Sequence, residues 1–97
     1  MNNSWSVDVD NESMVMFRIV KFPGDFKFSM TYVLNIGQRC LGIARIDNYT
    51  HDGIRRTHIH RFTDSRVEYR EMSFEEAKET LIKIGNAIKE RMRNDVF

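Results

Sequence analysis

From position 26 the chain alternates, with Phe26, Phe28, Met30, Tyr32, Leu34 and Ile36 separated by Lys27, Ser29, Thr31, Val33 and Asn35. A period of two puts those six side chains on one face of a β-strand. Ahead of it, residues 14–22 (MVMFRIVKF) are rich in strand formers and stop at Pro23-Gly24, a turn pair. Behind it, the segment around Gly37 predicts a tight turn into a strand over 39–47. There Cys40, Ala44 and Ile46 fall on one face, and Leu41 and Ile43 on the other. Apolar residues on both faces predict a central strand covered from both sides. Residues 48–56 are polar and turn-rich, and two short strands are predicted over 57–62 and 66–71.

The period then changes to that of a helix. Ser73 followed by Glu76 is a capping box, and Phe74, Ala77, Leu81, Ile84 and Ile88 form one apolar stripe. Glu79 and Lys83 sit four apart, and Lys89, Arg91 and Arg93 lie where the helix dipole favours cations, so the helix should run to about Arg93. Residues 1–13 are polar and aperiodic and read as a flexible lead-in, with Trp5 as an anchor onto the body. The expectation is a single α+β domain over 14–97, an antiparallel meander of about five strands with one C-terminal helix on one face. One helix leaves the other sheet face open. Leu41 and Ile43 then need a second layer, which favours a homodimer over cover by the N-terminal residues.

Ninety-seven residues exclude a second domain of ordinary size. One cysteine excludes an internal disulfide framework and a cysteine-rich zinc site, and Cys40 reads as a small buried hydrophobe. No basic-then-apolar leader and no apolar run of roughly 18 residues occurs, which together with the cysteine usage predicts a cytoplasmic protein outside the membrane. The glycines lack phosphate-loop spacing. A formal charge of +1 conceals an uneven distribution. Residues 1–15 sum to −3, whereas residues 39–70 carry seven arginines against Asp47, Asp52, Asp64 and Glu68, for +3. Arginine's planar fork suits phosphate, so a small local anion site fits this middle segment better than a broad nucleic-acid footprint.

The same segment holds all three histidines, His51, His58 and His60. On a strand His58 and His60 point to one face, with Ile59 directed into the core. Besides plain polar surface, two chemistries suit them. His58 and His60 with His51 or Asp47 supply donors for zinc or another divalent ion. Alternatively, metal-independent RNA cleavage needs a base for the 2′-hydroxyl, an acid for the leaving 5′-oxygen and cations for the charge on phosphorus oxygens. His58 and His60 would then be acid and base, with His51 able to replace either. Arg45 or Arg61 would clamp the phosphate, Asp47 would orient an imidazole or Arg45, and Arg55, Arg56 and Arg61 would contact the nucleic acid.

The order Arg45-x-Asp47-Asn48-x-x-His51, followed by His58-x-His60 and a C-terminal helix, resembles the signature of the TumE-type toxins of prokaryotic toxin-antitoxin pairs. The likeness spans roughly residues 26–92. It departs at Ile46, where those proteins usually carry an aromatic, and at Thr57, where they often have proline. The resemblance implies a growth-inhibiting protein neutralised by a small, often helix-turn-helix, partner. The possible ribonuclease activity comes from the residue chemistry above.

Overall fold

The computed structural model describes residues 2–51 and 54–96, with side chains described over 2–49 and 56–93. Among the described residues eight strands precede one helix: β1 (Asn2–Asp8), β2 (Ser13–Phe22), β3 (Asp25–Ile36), β4 (Arg39–Asp47), β5 (Thr50–His51), β6 (Ile54–Arg55), β7 (His58–Arg61), β8 (Arg66–Tyr69) and α1 (Phe74–Val96). Six strands form one antiparallel sheet in the order β1-β2-β3-β4-β7-β8, and β5 and β6 make a separate small hairpin between β4 and β7. The α+β meander with its C-terminal helix is as the patterning predicts. Among the described residues no helix is long and apolar enough to cross a membrane.

The sixth strand comes from the expected lead-in. Residues 2–8 pair with β2 along their whole length, from Asn2 opposite Val20 to Asp8 opposite Met14. Edge strands read as polar because one side of their backbone and much of their surface stay in water. Trp5 supplies the anchor, stacked on Phe17 with ring centroids 5.0 Å apart and flanked by Phe74 at 6.4 Å. The first residues thus extend the sheet sideways and add no layer over its open face.

The alternation of β3 holds over its middle, while Phe26 and Ile36 at its ends are exposed and Val33 on the other face is buried. Phe28, Met30, Tyr32 and Leu34 are buried, joined from neighbouring strands by Val15, Phe17, Ala44, Ile46 and Ile59 and covered by Ala77, Leu81 and Ile88 of α1. The helix begins at its capping box, where the Ser73 N–H donates to Glu76 Oε1 (3.2 Å) and the Glu76 N–H donates to Ser73 Oγ (3.1 Å). Its axis lies unusually close to the sheet at Gly85. A Cβ there would stand 2.2 Å from Tyr32 Cδ2, and Tyr32 is wholly buried.

Strand β4 departs from simple alternation. Tyr32 faces Ala44 but Val33 faces Gly42, so Ile43 is an extra residue bulged out of the ladder. The bulge shifts the parity, placing Leu41 rather than Cys40 on the helix face, opposite Leu34. Two expectations are corrected by this. Leu41 and Ile43 do not form an opposing apolar face, and Cys40 is exposed, its Sγ 3.2 Å from Asn35 Oδ1. On the helix-free face Phe62 lies over Gly42, where an added Cβ would meet its ring at 3.3 Å.

A polar network closes the end of the helix over the turn between β1 and β2. The Tyr32 hydroxyl donates to Asn86 Oδ1 (2.6 Å) and lies 3.0 Å from Ser13 Oγ. The Ser13 hydroxyl donates to Asp10 Oδ1 (2.7 Å), and the buried Lys89 ammonium donates to Ser13 Oγ and to the Asp10 carboxylate. Hydrogen bonds from Lys89 and then Ser13 hold the Asp10 carboxyl well below the usual carboxylate range. The bond to Asp10 raises the Lys89 ammonium against the opposing effect of burial.

Gly85→Ala is expected to destabilise the fold by about 3 kcal/mol, despite alanine's better helix propensity, because the Tyr32 ring has nowhere to retreat. Urea unfolding measures this, and an unchanged midpoint would refute the close approach. Asp10 has its folded pKa below the unfolded value of about 3.9, so its stabilisation is present above roughly pH 4 and lost as pH falls through the folded value. Lys89 contributes below its unfolded value of roughly 10.4 and loses that contribution as pH rises through the folded one. Asp10→Asn should therefore cost about 1 kcal/mol at neutral pH, the half-exposed carboxylate being screened, and should flatten the acid limb of a stability–pH profile.

Candidate functional site

After the bulge, Arg45 and Asp47 face away from the helix, and β7 runs antiparallel beside them. Asp47 is opposite His58, and Arg45 is opposite His60. Directly opposed residues in an antiparallel pair share a face with their Cβ atoms roughly 5 Å apart. Four polar side chains therefore form one block on the open face of the sheet. Ile59, between the histidines, points the other way into the core against Ile46.

Asp47 is the centre of the block and is only 2% exposed. Its Oδ1 accepts the Tyr49 backbone N–H (3.0 Å) and lies 2.9 Å from His58 Nε2. Its Oδ2 lies 3.1 Å from Arg45 Nε and 3.5 Å from His60 Nε2. A carboxylate taken out of water needs such polar and cationic neighbours. His58, equally buried, has Nδ1 2.8 Å from the Arg56 carbonyl oxygen, so both of its ring nitrogens face oxygen acceptors. The two imidazoles meet edge to face at 4.7 Å between centroids, and Tyr69 of β8 lies 5.6 Å from His58 on its far side.

Exposure separates the members of the block. The side chain of Arg45 is 41% exposed and that of His60 14%, whereas His58 and Asp47 have almost no surface. The expected pairing of His58 and His60 as acid and base is thereby changed: only His60 and Arg45 reach solvent, and His58 is held from both ends behind them.

The remaining sequence candidates are placed differently. The side chains of His51 and Arg55 lie outside the described residues. Arg56 turns toward Glu71, with Nε 3.6 Å from Oε1, and over the Tyr69 ring. Arg61, expected as a phosphate clamp, is on the opposite face because it is one residue from His60. It stands opposite Ala44 and donates to Glu68 Oε1 at 3.1 Å. The guanidiniums of Arg70 and Arg61 hold the Glu68 carboxyl below its usual range.

Two supports were not foreseen. Tyr49 and Arg56 serve through backbone atoms, and Asn48 ties the end of β4 to β3 by accepting the Phe28 N–H (2.8 Å) and donating to the Phe26 carbonyl (3.0 Å). The Asp47-to-Tyr49 contact is the side-chain-to-backbone bond two residues on that aspartate commonly makes, and that much was readable in the Asp-Asn step. The Asn48 bridge spans 22 residues of chain and leaves no local signal. Comparison with family models, with curated proteins and with solved structures found no match to this chain.

Asp47→Ala should cost about 3 kcal/mol, since it leaves buried His58 without its carboxylate. His60→Ala, nearer the surface, should cost under about 1 kcal/mol. Denaturant unfolding of the two variants gives the comparison, and equal losses would contradict the central place of Asp47.

Proposed function

We propose that the chain is a small RNA-directed protein of toxin type that cleaves a phosphodiester without a metal, through the block Arg45, Asp47, His58 and His60. The observation that carries the reading is the cross-strand pair of Arg45 and His60 on the open face, each within 3.5 Å of one buried carboxylate. Arg45 presents a cation to the non-bridging phosphorus oxygens, and His60 is the proton-transfer group beside it. In the reaction the 2′-oxygen loses its proton to His60 and bonds to phosphorus as the bond to the 5′-oxygen breaks. His51, ahead of β7, is the histidine left to protonate the departing oxygen. Asp47 and His58 are positioning residues that fix the rotamers of the other two.

The resemblance to TumE-type toxins adds a small, often helix-turn-helix, neutralising partner and growth inhibition to this reading. A homodimer, expected as cover for Leu41 and Ile43, is not needed for this reading, because Leu41 lies on the helix face and Ile43 in the core. Arg61, on the far face, has no part in it.

His60→Ala and Arg45→Ala should each lower RNA cleavage by about a hundredfold or more and relieve growth inhibition, with thermal unfolding little changed. His58→Gln should reduce cleavage together with stability. If purified His60→Ala and Arg45→Ala degrade RNA at the rate of the unaltered chain, the proposal fails.

A further inference from the structure

We infer that Asp47, His58 and His60 form a binding site for a divalent cation of the zinc class. One donor atom from each lies within 4.8 Å of the others, and both imidazole Nε2 atoms converge on the same carboxylate, at 2.9 and 3.5 Å. A tetrahedral ion with bonds of about 2.0–2.1 Å separates its ligands by about 3.4 Å, so the block needs only small side-chain shifts to take one. Two histidines and one carboxylate are also the donor types such ions choose.

The support around His58 points the same way. Its Nδ1 is fixed by the Arg56 carbonyl oxygen, the contact by which metal-bound histidines hold their ring and tautomer. With Nδ1–H donated there, Nε2 brings a lone pair to within 2.9 Å of Asp47 Oδ1. The ion would sit on the sheet face that carries Arg45 and Asp47, on the His60 side of the block.

Arg45 is the competitor. Its guanidinium already neutralises Asp47 Oδ2, and its side chain, 41% exposed, would have to swing outward when an ion binds. An ion held by His60 also engages the imidazole that takes the proton in the cleavage proposed above. Metal inhibition is a consequence that rests on that reading; metal binding itself does not.

The test is calorimetric titration of the metal-stripped chain with Zn2+ alone, in a Cys40→Ser background so that the exposed thiol contributes nothing. One equivalent should bind with micromolar affinity or better, and His60→Ala should weaken it by about a hundredfold. Arg45→Gln should bind at least as tightly as its parent while losing the proposed cleavage, which separates the two readings. Circular dichroism confirms that each variant is folded. On the Cys40→Ser protein, Co2+ should give ligand-field absorption without a thiolate charge-transfer band, and His60→Ala should abolish it. Absence of stoichiometric Zn2+ binding, or affinity untouched by His60→Ala, overturns the site.

Discussion

The missing side chain at Gly85 sets the spacing of the whole molecule. It lets α1 descend until its backbone meets the Tyr32 ring, a separation at which any Cβ would collide. At that distance Ala77, Leu81 and Ile88 pack onto the sheet, and the Tyr32 hydroxyl reaches Asn86. A residue with bulk at position 85 would lift the helix and open the apolar layer beneath it. The helix face is thus filled by packing, and the residues able to do chemistry are found on the other face.

Two carboxylates organise the ends of the fold in different ways. Asp10 gathers Lys89 and Ser13 and so ties the first turn to the last stretch of the helix across 79 residues of chain. Asp47 gathers the donors of β4, β7 and the connection between them. The first is half-exposed, pairs with a single buried cation and serves stability. The second is sealed and surrounded by groups of graded exposure, so the interactions around its charge also hold Arg45 and His60 beside it. A buried charge with several partners fixes geometry more than it lowers energy.

Much of this was legible along the chain, for identifiable reasons. The period of β3, the capping box of α1 and the limits of β4 follow from local pattern, and the structure agrees with each. The shared face of His58 and His60 follows from strand parity alone. What local pattern hides is pairing at a distance. The strand over 2–8 reads as loose chain because its order is supplied by β2, and the importance of Gly85 depends on Tyr32, 53 positions earlier. Cys40 and Arg61 escape local pattern for a related reason: the bulge moves the first off the helix face, and strand parity puts the second on the face opposite His60.

The bulge at Ile43 carries a consequence for how such a chain can change. Along β4, the side to which a residue belongs is decided by counting from the turn at Gly37, and Ile43 adds one to the count. Removing that single position would let Gly42 and Ala44 follow one another opposite Val33 and Tyr32, closing the bulge and leaving Arg45 and Asp47 on the open face. A residue lost between Ala44 and Asp47 has no bulge to absorb it and would turn Asp47 under the helix. The segment from the Gly37 turn to Ala44 can therefore shorten by one without moving the polar block, whereas the stretch after it tolerates no change of length.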